Sequence, residues 1–336
     1  MSDDFDATVK RVYAAALRGR HLIQIETTVE IHEEAGVEFE IHLAPSLKRK
    51  PQSDPTAPTA GAAPKPDPFD PYDPHLFVTE LETHHVLLNK FYVVPEHLLV
   101  VTKEFQKQTS PLLPADLTAA WHCMSRAAKP TLAFYNCGEM SGASQPHKHL
   151  QIIPLPIGTG AHPPIEALFN NMDEHRPGQI YTLTNLPFHH VLTPLDTAYL
   201  SSATDMDAGS YLSDAFFSLL DSSIEQMRSD GAIVTRSYNC FFTKRFMVIV
   251  PRSSDSVVLK LDEEEEKEEE KEEDGKEKEE KQAEFTVNSL GFTGTLLCRT
   301  KAEVEVVRKR GILTVLKAVA VARREEGEGE AREADM

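Results

Sequence analysis

Two histidines and a glutamine fall at alternate positions in the stretch Gly142-Ala143-Ser144-Gln145-Pro146-His147-Lys148-His149-Leu150-Gln151-Ile152-Ile153-Pro154. The β-branched residues and the bounding prolines predict a strand over 147–153. Alternation then sets His147, His149 and Gln151 on one face, with Lys148, Leu150 and Ile152 on the other. A neutral imidazole, with an ordinary pKa of about 6.5, can attack phosphorus at physiological pH. The N–P bond it forms is labile, which suits a transferable nucleotidyl group. Neighbouring donors offset the charge that builds on the phosphate oxygens. The competing use of His147 and His149, as metal ligands, lacks a third acid or cysteine nearby in the sequence, so no protein-held metal is expected.

The elements that must hold this strand follow from periodicity. Residues 131–137 read as a strand and 138–146 as a Gly/Ser loop leading into the motif. A helix over 115–128 packs behind, with Pro114 near its first turn and Pro130 stopping it. Upstream, an amphipathic helix over 5–20 precedes a hairpin of 23–31 and 37–43 around Glu33-Glu34-Ala35-Gly36. Strands at 84–88 and 92–102 come next, the second interrupted by Pro95-Glu96-His97. Downstream, 210–228 is a long helix with one apolar stripe. Residues 238–250, 256–261 and 285–287 read as strands, and 288–294 as a turn. Helices over 301–310 and 312–323 break at Gly311.

With 336 residues the chain can bury a substantial core as one large domain or two fused halves. Its net charge of −18 is concentrated. The run 262–284 carries net −10 and the tail 325–336 net −5, so the remainder is nearly neutral and signals no nucleic-acid partner. The acidic run has no large apolar residue and is expected to be a disordered insertion between strands. The Pro-, Ala- and Thr-rich stretch 51–68 is expected to be a mobile surface loop. Cys123, Cys137, Cys240 and Cys298 are widely spaced, which fits a reducing compartment rather than a disulfide framework. The first 20 residues lack the apolar core of a signal peptide. The apolar run 311–322 is short and holds Lys317, so no membrane association is expected.

The longer string from Asn136 through Ser141 and Gly142 to Gln151 resembles the diadenosine tetraphosphate phosphorylase family, also called ATP adenylyltransferases. These enzymes form part of the transferase branch of the histidine triad superfamily. Further blocks carry the likeness: Asp70-Pro71-Tyr72-Asp73 with Leu76-Phe77-Val78, Leu87-Leu88-Asn89-Lys90-Phe91, and Val94-Pro95-Glu96-His97-Leu98-Leu99. Ser237-Tyr238-Asn239, Val250-Pro251-Arg252 and Asn288-Ser289-Leu290-Gly291-Phe292-Thr293-Gly294 extend it. It covers roughly residues 20–320 without the Pro-rich loop and the acidic run.

The resemblance implies an α+β fold of histidine-triad type: antiparallel β-sheets flanked by helices, with two related halves in one chain. Residues 1–200 would carry the motif and 201–324 would complete the nucleotide site. The implied reaction is reversible cleavage of diadenosine tetraphosphate by phosphate to ATP and ADP, with ADP-sulfate as a side substrate. His149 matches the family's nucleophile, and His147 would orient it or touch phosphates. Lys50, Asn89, Lys90, Asn136, the loop Gly142, Ala143, Ser144 and Gln145, and then Asn288, Ser289, Leu290 and Thr295 match substrate-contacting positions. Arg299 stands where the family pattern leads one to expect Lys, which keeps the charge but changes the phosphate geometry. Hydrolase members have a third His at the position of Gln151. Glutamine can donate a hydrogen bond but cannot shuttle a proton, which favours transfer over hydrolysis.

A divalent cation, Mg²⁺, is expected to travel with the nucleotide rather than sit in a protein cage. The expected partners are small nucleotides and phosphate, in a monomer located in the cytoplasm, with the nucleus also open to it. Two other readings stand beside this one: a hexose-1-phosphate uridylyltransferase of the same superfamily, and a non-catalytic dinucleotide sensor. His84-His85, His189-His190 and His75 lack motif partners and read as packing residues, as does Trp121. Phe69 and Tyr72 would either cover an adenine or anchor their own loop.

Overall fold

The computed structural model describes residues 4–49, 67–260 and 282–323. Lys50, most of the Pro-rich loop, the acidic run up to residue 281 and the acidic tail lie outside the described residues. Helix α1 (Phe5–Arg18) leads to β1 (Ile23–Gln24) and the hairpin β2 (Thr28–Glu34) and β3 (Val37–Leu43). Ala35 and Gly36 turn that hairpin with φ of +52° and +80°, as a two-residue turn between twisted strands requires. Then come β4 (Phe77–Glu80), β5 (His84–Leu88), β6 (Phe91–Tyr92), β7 (Leu98–Thr102), α2 (Pro114–Arg126), β8 (Thr131–Cys137) and β9 (His149–Pro154).

The second part contributes α3 (Glu166–Asn170), β10 (Val191–Pro194), α4 (Thr197–Ser202), α5 (Asp205–Ser229), β11 (Tyr238–Phe242) and β12 (Phe246–Pro251). It closes with β13 (Ser256–Lys260), β14 (Gln282–Thr286), α6 (Ser289–Phe292), β15 (Thr295–Cys298), α7 (Lys301–Arg310) and α8 (Ile312–Val319).

One antiparallel sheet of eight strands runs through both parts in the order β10-β12-β11-β8-β9-β7-β5-β4. Strands from residues 1–200 and 201–324 therefore interleave in a single sheet, β8 pairing with β11 and β10 with β12. Two small parallel pairings, β1 with β6 and β15 with β3, lie outside it. On one face Val100, Leu150 and Ile152 pack with Leu117, Trp121 and Phe216 of α2 and α5. Leu132, Phe134, Ile153, Phe241 and Val248 face the other way, against Phe285, Phe292 and Leu316. Near the edge of this second face a smaller cluster of Leu87, Leu99 and Val101 is covered by Phe69, Tyr72 and Phe77. Among the described residues no helix is long and apolar enough to cross a membrane.

Several sequence expectations need correction. The run 238–250 is two strands, because Thr243 turns back with its N–H on the Phe246 carbonyl and makes a hairpin. Residues 282–284, assigned to the acidic insertion, belong to β14, where Ala283 and Phe285 bury their side chains against the core. The turn 288–294 contains helical α6, capped by the Asn288 carboxamide on the Leu290 N–H at 3.0 Å. The last helix stops at Val319 rather than at 323.

Lys148, the outward-alternating residue between the two motif histidines, is fully buried. Its Nζ lies 2.5 Å from Asp116 Oδ2 and donates to the Pro111 carbonyl at 2.8 Å. Asp116 Oδ1 pairs with His84 Nε2 at 2.9 Å, and Oδ2 accepts the Leu113 N–H at the start of α2. Burial opposes the Asp116 charge, but the His84 hydrogen bond and the charge of Lys148 hold its carboxyl below the ordinary range. Removing one partner of a buried pair strands the other charge. Asp116→Ala is expected to cost about 3–5 kcal/mol in urea unfolding. A change below about 1 kcal/mol would show that the pair does not anchor the motif strand.

Candidate active site

The motif residues sit where β9 begins. Regular pairing with β7 starts only at His149, opposite Val101, while Gln151 stands opposite Leu99. Before that point the chain pairs with the loop 106–108 through the bridge Lys107–His147 and the Lys148 N–H on the Gln106 carbonyl. The predicted strand over 147–153 is thus two paired segments, yet the alternation persists and Lys148 points away from its two histidine neighbours.

His149 is buried, and its Nδ1 lies 2.8 Å from the His147 carbonyl oxygen. A carbonyl only accepts, so Nδ1 carries the proton and Nε2 keeps its lone pair. Burial, the dominant influence, pushes this imidazole down to about 4. Its backbone is fixed by a residue from another segment. Gln108 Oε1 accepts the His149 N–H at 2.9 Å, and Gln108 Nε2 donates to the carbonyls of Asn136 at 2.8 Å and His149 at 3.3 Å.

His147 is differently employed. Its Nδ1 lies 2.6 Å from Asp67 Oδ2, and its Nε2 lies 2.9 Å from the Thr102 carbonyl and 3.0 Å from the Thr102 hydroxyl. Both ring nitrogens are committed, so His147 has no free nitrogen with which to attack or touch phosphate; it orients His149 through its carbonyl. Phe69 closes over both rings, 5.8 Å from His147 and 5.3 Å from His149 between centroids.

Asn136 on β8 forms a second buried centre. Its Oδ1 accepts from Asn239 Nδ2 at 2.8 Å, the Ser289 N–H at 2.9 Å and the Ser289 hydroxyl at 2.7 Å. Asn239 Oδ1 in turn accepts from the buried Arg252, whose guanidinium also reaches the carbonyls of Ser141, Val287, Val319 and Ser254. These contacts bring the loop holding Gly142, Ala143, Ser144 and Gln145 against the turn holding Asn288, Ser289 and Leu290. Gly142 makes this approach at φ +73°, and a Cβ there would stand 2.4 Å from the Val287 carbonyl oxygen.

Asn89 Nδ2 bonds Nδ1 of the buried His97 at 3.3 Å, and the half-buried Gln151 amide lies beside the same ring; Lys90 is exposed. Burial also pushes His97 down to about 4. Thr295 and Arg299 lie apart from the motif strand. Thr295 is buried at the start of β15 opposite Glu40, and the Arg299 N–H donates to Glu303 Oε2 at 2.7 Å. Lys50 lies outside the described residues.

Sequence reasoning missed Gln108, Asp67, Thr102, His97 and Arg252 as working parts of this site. His97 and Arg252 stood inside blocks already singled out. Gln108 and Asp67 offered no signal, since only the fold brings them to residues 41 and 80 positions away.

A neutral imidazole nitrogen, offered from a buried strand beside a glycine-containing loop, defines a group-transfer site of histidine-triad type. The chain belongs to the Ap4A phosphorylase family. The model for the Ap4A phosphorylase N-terminal domain matches residues 1–171, and that for the ATP adenylyltransferase C-terminal domain matches 184–322. Diadenosine 5',5'''-P1,P4-tetraphosphate phosphorylase 2 of Saccharomyces cerevisiae is 36% identical over 185 residues, 51% of this chain and 55% of that protein. The matched segment thus spans about half of that relative. Protein APA1 of the same yeast is 29% identical over 260 residues, 74% of this chain and 80% of the relative. The solved yeast Ap4A phosphorylase Apa2 is similar in fold. Its complex with Ap4A has a TM-score of 0.72 at 24% identity, covering 97% of this chain and 100% of that one. Its complex with AMP gives 0.71 at 26%, covering 98% and 99%.

Because the folded His149 pKa lies below the ordinary one, the ring stays neutral as pH falls through about 6.5 and protonates only near 4. In a ring-proton NMR titration assigned with His149→Gln, the His149 signal is expected to hold its neutral shift down to about pH 5. A midpoint near 6.5 would contradict a buried, neutral imidazole.

Proposed function

We propose that this chain cleaves diadenosine tetraphosphate with phosphate, giving ATP and ADP reversibly, through an adenylyl group carried on His149. One observation carries the reading: the His147 carbonyl occupies the Nδ1 proton of His149, leaving a neutral Nε2 as the motif's free imidazole nitrogen. The family and the Ap4A-bound relative supply the substrate class.

Nε2 attacks the α-phosphorus; the N–P bond forms as the bond to the bridging oxygen breaks, and ATP leaves with that electron pair. A polyphosphate leaves as a stable anion and needs no proton from Gln151. A phosphate oxygen then attacks the same phosphorus from the opposite side, and the histidine departs neutral as ADP forms. Backbone N–H groups of the 142–145 loop would hold the phosphate oxygens. Asn89, Lys90, Asn288 and Leu290 are assigned to substrate contact. Asn136, Ser289 and Arg252 shape that surface from behind. Thr295, Arg299 and Lys50 remain assigned to substrate on the family resemblance alone.

The carboxylate beside the motif, Asp67, is already engaged by His147, so the residues present do not form a cation cage. Mg²⁺ is therefore assigned to the polyphosphate, and no step is routed through the ion. The molecule is assigned to the cytoplasm as a monomer.

Incubation with diadenosine tetraphosphate in phosphate-free buffer is expected to add the mass of one adenylyl group, mapped to His149, with one equivalent of ATP released. His149→Ala should show no adduct and lose more than about 10⁴-fold in turnover. An unmodified wild-type chain that still turns over would sink the covalent route. Gln151→His is expected to raise release of AMP to water by about 10²-fold relative to wild type. An unchanged ratio of AMP to ADP would remove Gln151 as the determinant of transfer.

A further inference from the structure

Three metal-ligand side chains from two distant parts of the chain converge on the surface beyond the end of α1. The rings of His21 and His75 stack with centroids 3.6 Å apart and an interplanar angle of 7°. Asp73 Oδ1 lies 2.9 Å from His75 Nδ1 and accepts the His75 backbone N–H at 2.9 Å. One ring nitrogen of each histidine and one carboxylate oxygen all lie within 4.8 Å of one another. Tetrahedral zinc, with bonds of about 2.0–2.2 Å, sets neighbouring ligand atoms roughly 3.4 Å apart. While the rings stay stacked their in-plane lone pairs cannot meet at one ion, so the exposed His75 ring must rotate out of the stack to close the cluster to that size.

Local backbone geometry presets the donors. After α1 the chain turns through Arg20 at φ +59°, and the His21 ring lies over Gly19. A Cβ at position 19 would stand 2.5 Å from His21 Cδ2, so the bare glycine makes room for the ring. Asp73 is held as the cap of the short 3-10 turn at Pro74–Leu76, with its carboxylate already turned toward His75.

We infer that His21, Asp73 and His75 form a binding site for a divalent cation of the zinc class, with water completing the coordination. Imidazole donors favour Zn²⁺, Ni²⁺ or Co²⁺ over Mg²⁺, so the site is distinct from any cation travelling with nucleotide. An ion here would tie the end of α1 to the strap that begins at Asp67. That strap holds His147 through Asp67 and covers His149 with Phe69. Metal would therefore stiffen the cover over the nucleophile without touching the reacting atoms.

The test uses the tag-free, full-length chain, stripped of metal and kept in excess Mg²⁺ to occupy the acidic run. Titration with Co²⁺ is expected to give visible d–d bands that saturate at one equivalent and are displaced by Zn²⁺. At a hundredfold excess over Kd, Zn²⁺ should raise the unfolding midpoint by about 4 °C. His75→Gln, an exposed position that leaves folding intact, and Asp73→Asn should each weaken Co²⁺ binding at least about tenfold. His21→Ala with His75→Ala should abolish both the bands and the thermal shift. Bands that persist in the double variant, or their absence in wild type, would overturn the proposal.

Discussion

One hydrogen bond organises the chemistry of this molecule: the His149 ring gives its Nδ1 proton to the His147 carbonyl, two residues back along the same chain. The partner is a backbone oxygen, so its position depends on how the strand is paired rather than on a side-chain rotamer. Much of the surrounding structure serves that pairing. Gln108 replaces a regular strand neighbour and holds the His149 backbone from both its N–H and its carbonyl. On the opposite face Lys148 is locked to Asp116, which prevents the segment from rotating about its own axis. Asp67 and Thr102 occupy both nitrogens of His147 and keep its peptide oriented.

A second constraint joins the two parts of the chain. Arg252 is fully buried and gives its protons to four backbone carbonyls and the Asn239 carboxamide. Five acceptors, three of them crowded on Nη1, surround the guanidinium without a carboxylate and offset the cost of burying a lone charge. Three of those carbonyls belong to Ser141, Val287 and Val319, so a single side chain sets the spacing between the Gly142 loop, the α6 turn and the last helix. Asn136 repeats the device one strand away, with Oδ1 shared between Asn239 and Ser289. The surface facing substrate can then be backbone-rich and rigid, because its polar support lies behind it.

Much of this was legible in the sequence, and what was not has physical reasons. The strand 131–137, the helix behind it and the alternation around His149 follow from local periodicity, which does not depend on distant partners. The break at Thr243 was marked only by the polar triplet Thr243-Lys244-Arg245, which the apolar runs on both sides, suited to strands buried on both faces, outweighed. The start of β14 was hidden by Gln282 and Glu284, which face outward while Ala283 and Phe285 go in. Within the site, residue types that carry chemistry announced themselves, but Gln108, Asp67 and Thr102 act through contacts that exist only after folding. His147 shows the limit most clearly: the resemblance left it either to orient His149 or to touch phosphate, and only the fold shows both of its nitrogens engaged by Asp67 and Thr102.

Burial gives the two nearby imidazoles a common character that bears on the choice between transfer and hydrolysis. His149 and His97 are both neutral at physiological pH, held so by exclusion from water rather than by a neighbouring charge. On the proposed route, a neutral nucleophile would attack a polyphosphate without first losing a proton, and the departing ATP would need none. The second half of a hydrolysis would differ, because water attacking phosphorus must shed a proton as the bond forms. Gln151 has no site to take it, and His97, pressed into the sheet with a pKa far below neutrality, is a weak base. Phosphate arrives already ionised and needs no base. On the proposed route, the same burial that keeps His149 neutral would therefore leave the adduct poorly served for water and well served for an anionic acceptor.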